Sequence, residues 1–253
     1  MWSLFDPKDI PEFTDLFGEA FDAAYEAAER EEKFVKQVKA RELYSRMMKS
    51  LAQTGNGWMT FKDSSNNKCN QTGTKNRTVH LSNLCTEIIE ITNSEETAVC
   101  NLGSVNLARH VEDEQFDFEK LGRTVVTALR YLDRVIDINF YPIGSAEYSN
   151  HRWRPVGLGI MGLQDVFFQL RLAFDSPEAR KLSQKIQEEI YYHALSESCR
   201  LAEKSGKHET YDDTRAAQGK LQMDLWPNFE FKSENPARWE KLRERIAKFG
   251  LRN

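Results

Sequence analysis

The chain has 253 residues, 40% of them hydrophobic and 29% charged, with a net charge of −4 and a pI near 5.8. That composition fits an ordered globular protein with room for a substantial core and excludes a disordered chain. It argues against a nucleic-acid binder, which needs a basic surface.

In chain order, the start, MWSLFDPKDIPEF, lacks the apolar core of a signal peptide. No apolar run approaches the roughly 20 residues of a membrane span, so a cytoplasmic location is expected. Phe13, Leu16, Phe17, Ala20, Phe21, Ala24 and Tyr25 recur at helical spacing, with Thr14 as a candidate cap. A second helix is expected from about Val35 to Ala52, with Val38, Leu43, Met47 and Leu51 on its apolar face and Gly55 as the stop. Residues 62–78, KDSSNNKCNQTGTKNRT, are polar and read as a loop; Asp63 and Asn66 in it could approach a substrate, but such residues usually just face solvent.

Two strands are expected next, Val79 to Thr92 and Thr97 to Leu107, joined by the turn NSEE. A helix follows from about Phe118 to Ile138, with Leu121, Val125, Leu129, Leu132 and Ile136 on one face. SAEYSNHRW (145–153) reads as a polar link. A long helix is punctuated by Ser176, Pro177 and Gly206. Residues 207–234 read as mostly loop, and Asn235-Pro236 opens a last helix with Trp239, Leu242 and Ile246 that stops at Gly250. The fold class is α/β or α+β. Strands this few cannot close a sheet on themselves, so the chain looks like part of something larger.

Four cysteines, Cys69, Cys85, Cys100 and Cys199, include no C-x-x-C pair, which argues against structural zinc and against a secreted disulfide framework. Cys199 follows Leu195 by one helical turn and reads as core. Cys85 lies in SNLCTEI. On a strand, Asn83, Cys85 and Glu87 would share one face at intervals of about 6.6 Å. Spacing alone favours an edge strand with its polar face in water. The other reading is chemical. A neighbouring carboxylate raises a thiol's pKa, so this is a poor thiolate nucleophile, and His80 falls on the opposite face. A thiol reacting as a hydrogen-atom donor needs no ionisation, and Glu87 could then act as general base on a substrate hydroxyl.

SNLCTEI resembles the finger-loop motif of the class I ribonucleotide reductase large subunit. WSLFDPKDIPEF, VKARELYSRMM, the TG at 54–55, AVCNLGSVNL, RPVGLGIMGLQDVF and FGLRN resemble further blocks of that family, in order, across essentially the whole chain. The resemblance implies part of a ten-stranded α/β barrel with residues 80–92 as a central loop, and reduction of ribonucleoside diphosphates to deoxyribonucleoside diphosphates. It implies that Cys85 becomes the thiyl radical that takes the ribose 3′-hydrogen. Glu87 would accept the 3′-hydroxyl proton, Asn83 would hydrogen-bond the substrate, and Cys100 would be half of a redox pair. Asn83, Leu84, Cys85, Thr86 and Glu87 would line the substrate pocket.

The resemblance also implies what this chain lacks. The partner of Cys100 lies upstream of residue 1 in the family, and the phosphate-binding segment follows FGLRN. The chain is expected to be one piece of a split or truncated large subunit, inactive alone. It would work with separately encoded N- and C-terminal pieces and would bind no cofactor itself. Its radical would come from a metal-containing small subunit, and its electrons from a thioredoxin- or glutaredoxin-type reductant. Neither nucleic acid nor a membrane is expected as a partner. Two alternatives stand beside this reading. One is an inactive remnant. The other is a dinucleotide-dependent oxidoreductase built on Gly157, Gly159 and Gly162, with Asp175 downstream, although the polar SNHRWRPV before the first glycine suits close strand–helix packing better. His110, His151, His193 and His208 show no metal-ligand spacing, and Trp226, Phe229 and Phe231 read as core or interface.

Overall fold

The computed structural model describes residues 1–74 and 77–253; Lys75 and Asn76, within the loop expected over 62–78, lie outside the described residues. Two compact units divide the chain, Met1–Thr92 and Asn93–Asn253.

In the first unit, β1 (Trp2–Leu4) pairs antiparallel with a later strand, and Pro11–Thr14 forms a 3₁₀ turn before α1 (Gly18–Arg30). The expected cap at Thr14 is therefore corrected: the helix opens four residues later. Gly18 takes φ +59°, a left-handed conformation that interrupts the helical path, and Asp63 Oδ1 accepts its N–H at 2.8 Å. The apolar spacing still builds a cluster, with Phe13 against Phe21 and Phe5 against Tyr25 at ring separations of 5.2 and 5.3 Å. The second helix also starts late. Lys36–Val38 is β2, the partner of β1, and α2 runs Ala40–Thr54. Gly55 ends it at φ +63° as expected. The polar stretch is not all loop. Lys62–Lys68 is helix α3, and Asn70–Thr72 is a 3₁₀ turn.

The second unit carries β3 (Leu102–Asn106), shorter than the expected strand, then a hairpin of β4 (Val111–Glu112) and β5 (Gln115–Phe116). Asp113 and Glu114 at the hairpin tip both have positive φ, the signature of a two-residue turn that matches strand twist. Next come α4 (Phe118–Ile138), α5 (Gly144–Trp153), β6 (Gly157–Met161) and α6 (Leu163–Gln169). The chain closes with α7 (Pro177–Ser205) and α8 (Pro236–Phe249), and three short 3₁₀ turns punctuate residues 207–234. β3 and β6 run parallel, Leu102 opposite Gly157 through Asn106 opposite Met161.

α4 and α7 pack on each other, and the predicted stripe of α4 is buried throughout. Leu121, Val125, Val105, Val166, Ile186 and Ile190 form one core; each fully buried aliphatic chain is worth about 1.5–3 kcal/mol. Cys199, Tyr211, Trp239, Leu242 and Ile246 form a second, so Cys199 is core as expected. Phe231 packs edge-on against Trp239 at 5.2 Å, while Trp226 and Phe229 are about half exposed. The link expected over 145–153 is helix α5. Its polar Ser149 and Asn150 are buried beside Ala146 and Trp153, which hid the pattern: half of the inward face is polar, and Asn150 is hydrogen-bonded to Asn101 and Tyr141. Just after it, buried Arg154 binds Asp133 and Asp137, each at 2.8 Å, and holds the Asp137 carboxyl below its usual range.

Candidate functional site

Residues 79–92 form no strand. Their main-chain groups are still partly buried and need partners, and side chains of the preceding polar segment supply several. Asn66, 1% exposed, accepts the Val79 N–H on Oδ1 at 2.8 Å and donates Nδ2 to the Val79 carbonyl at 2.9 Å. Gln71 Oε1 accepts the Ile91 N–H at 2.8 Å, and the Cys69 thiol faces the Ile89 carbonyl at 3.2 Å. His80 ties the stems sideways: Nδ1 lies 3.0 Å from Thr92 Oγ1 and Nε2 lies 2.8 Å from Asp15 Oδ1. Asn66 is thus a buried brace and not a solvent-facing loop residue. Asp63 anchors Gly18.

Between the stems the chain reverses. The Asn83 carbonyl accepts the Thr86 N–H at 3.1 Å, closing a tight turn with Leu84 and Cys85 at its centre. Thr86 takes φ +67°, unusual for a β-branched residue. Asn83 Oδ1 then accepts the Ile88 N–H at 2.9 Å, locking the far side of the turn. This corrects the strand-face argument: Asn83, Cys85 and Glu87 share a loop tip, not one face of a strand, because local hydrogen bonds replace a neighbouring strand. Cys85 and Glu87 are exposed, Asn83 is half-buried, and Leu81 and Leu84 leave 78% and 76% of their surface open.

Cys100 belongs to the second unit and is exposed. The residue after it is fixed. Buried Asn101 donates Nδ2 to Asn150 Oδ1 at 2.6 Å and to the Pro155 carbonyl at 2.8 Å, and its own carbonyl accepts the Gly157 N–H at 2.9 Å. Tyr141 extends this network, receiving Asn150 Nδ2 on its hydroxyl and donating to the Ile136 carbonyl. Among the described residues no cysteine is joined to another.

The glycine motif has a different use from the dinucleotide one. Gly157 and Gly159 lie inside β6, not after it, and a Cβ at Gly157 would run into Leu102 of β3. A Cβ at Gly159 would sit 3.3 Å from Ser104 Oγ, so the glycines serve close strand pairing. Asp175 is exposed in the turn before α7. Among the described residues no group of three His, Cys, Asp or Glu is arranged to hold a metal, and no helix is long and apolar enough to cross a membrane.

Sequence reasoning missed the braces Asn66, Gln71 and His80. The signal was present in the density of Asn and Gln just before a segment rich in main-chain polar groups, but it does not say which main chain they meet.

The whole chain, residues 1–253, matches the family described as ribonucleotide reductase, barrel domain. It is similar to the ribonucleoside-diphosphate reductase large chain of Schizosaccharomyces pombe, 42% identical over 255 residues, covering all of this chain and 30% of that one. The large subunit of Caenorhabditis elegans is 44% identical over 253 residues, with 32% of its length covered, and that of Arabidopsis thaliana is 42% identical over 272 residues, with 33% covered. The chain spans about a third of the length of these relatives. A family match over residues 1–253, which include the SNLCTE turn, shows that the chain belongs to the ribonucleotide reductase barrel domain family.

Proposed function

We propose that this chain supplies the central catalytic part of a ribonucleoside-diphosphate reductase large subunit, a portion of a ten-stranded α/β barrel. It would act with the parts of such a subunit that lie outside these 253 residues, on the same or on separate polypeptides. The observation that carries the proposal is the tight Asn83–Thr86 turn, which presents Cys85 at the tip of a loop braced on both stems. Exposed Leu81 and Leu84 beside it support a loop that is covered in the working enzyme. A thiyl radical needs that cover, since water and oxidants would quench it.

In this reading the Cys85 thiyl takes the 3′-hydrogen of the ribose and becomes a thiol. Glu87 accepts the 3′-hydroxyl proton and returns it to the 3′-oxygen as product forms, and the 2′-hydroxyl leaves as water with a proton from the thiol pair that includes Cys100. The Cys100 thiol and a second thiol outside this chain give up two electrons and two protons and end as a disulfide. Return of a hydrogen atom from Cys85 to C3′ completes the deoxyribose and restores the thiyl. Asn83 Nδ2, not used in bracing Ile88, is the donor offered to substrate, and Asn83 to Glu87 line its pocket. A metal-containing small subunit supplies the radical, and a thioredoxin- or glutaredoxin-type protein reduces the disulfide. A cytoplasmic location, with neither nucleic acid nor a membrane as partner, goes with this reading.

The test is turnover of a ribonucleoside diphosphate by a reconstituted reductase containing this chain. Cys85→Ser should abolish it. More than trace turnover by that variant would show that the radical assignment is wrong.

A further inference from the structure

We propose that Asn66 and Gln71, assisted by Cys69, are positioning residues that set where the Cys85 loop stands. They do so by hydrogen-bonding the main chain of both of its stems. The functional consequence rests on the reductase reading above; the structural claim does not.

The stems carry buried N–H and C=O groups that a sheet would pair with a neighbouring strand. Here side chains take that place. Asn66 satisfies both main-chain groups of Val79 on the rising stem, and Gln71 and Cys69 reach Ile91 and Ile89 on the returning one. All three are buried, at 1%, 8% and 8% exposure, so water competes poorly for these bonds. Their own scaffold is fixed too. Asn66 Nδ2 also reaches the Lys62 carbonyl at 2.9 Å, one turn back on α3. The Thr72 hydroxyl closes the segment on the Cys69 carbonyl at 2.9 Å. The Lys62 ammonium, its pKa lowered by burial, holds the Leu16 carbonyl at 3.0 Å. The polar segment is therefore a jig. A reacting thiol misplaced by about 1 Å can lose on the order of a hundredfold in rate, so the jig bears on catalysis without touching substrate.

The experiment is amide hydrogen exchange on the full chain with two variants. Gln71→Met keeps volume and loses the acceptor for the Ile91 N–H; Gln71→Glu keeps an acceptor oxygen. Gln71→Met should speed exchange across residues 88–92 about five- to tenfold, and Gln71→Glu should stay within about twofold of the parent. Exchange in the helix at residues 118–138 should not change in either. Unchanged exchange at 88–92 in Gln71→Met overturns the proposal. So does equal acceleration in the helix at 118–138, or a Glu variant as fast as the Met variant. In the assembled reductase, Gln71→Met should lower kcat more than it moves KM, with Gln71→Glu restoring it; an unmoved kcat would sever the jig from catalysis. Because exchange needs no turnover, a parent enzyme without activity would sink the reductase reading and leave this one standing.

Discussion

Asn83→Ala and Asn83→Asp would separate the bracing of Ile88 from the substrate contact proposed for the same amide. The Ile88 N–H can only donate, so the Asn83 atom facing it at 2.9 Å is the amide oxygen, and the amino group is left for another partner. Alanine removes both functions; aspartate keeps the acceptor and loses the donor. Ile88 is 9% exposed, so its N–H, once orphaned, is poorly served by water. The cost is about 1–2 kcal/mol, or roughly five- to thirtyfold faster exchange at residues 86–88. The assay is residue-resolved hydrogen exchange, paired with substrate affinity in the assembled reductase. Asn83→Ala should loosen the turn and weaken nucleotide binding. Asn83→Asp should keep the turn protected and still weaken binding. An aspartate variant with parental affinity would refute Asn83 as a substrate donor. An alanine variant with parental protection at Ile88 would refute it as the brace.

Three further outcomes are expected. Burial pushes the His208 imidazole down from 6.5 to about 4. The unfolded chain therefore takes up the proton first as pH falls through 6.5, and the stability that His208 contributes declines until about pH 4 and then levels, a loss of about 3 kcal/mol. Thermal unfolding followed from pH 7 to pH 4 should show this slope, and His208→Gln should make it shallower, with His193, also shifted down by burial, and the paired carboxylates left to titrate; an equal slope in the variant would contradict the assignment. Leu121→Ala, at a fully buried position between α4 and its neighbours, should cost about 2–5 kcal/mol in urea unfolding, and a loss below about 1 kcal/mol would mean that the site collapses freely. The isolated chain, given only a reductant and a radical-generating partner, should show no nucleotide reduction in a product assay; measurable product would contradict its dependence on further large-subunit residues.

What the sequence disclosed, it disclosed through local chemistry. Ser176 caps α7 by accepting the Ala179 N–H at 3.1 Å, Asn235 caps α8 by accepting that of Arg238 at 3.3 Å, and glycines follow both helices. Such caps involve neighbours in sequence, so they can be read directly. The 3.6-residue stripe of α4 was legible for the same reason. α3 and α5 were hidden because their inward residues include polar ones, Asn66, Ser149 and Asn150, and Asn66 and Asn150 are bonded to segments distant in sequence. Residues 79–92 have strand composition, but several of their hydrogen-bond partners are side chains of 66–71, and periodicity cannot reveal that. Of the site itself, the SNLCTE motif was readable by its family resemblance. The turn that displays Cys85 depends on the left-handed Thr86, a residue type that gives no such warning.

The most direct measurement of the central claim uses a substrate tritiated at the ribose 3′-position in the assembled reductase. Cys85→Ser should leave the 3′-label untouched. Cys100→Ser should still exchange or release label, because abstraction precedes the step that needs its electrons, but should not sustain deoxynucleotide formation. Label loss in Cys85→Ser, or full turnover in Cys100→Ser, would contradict that claim.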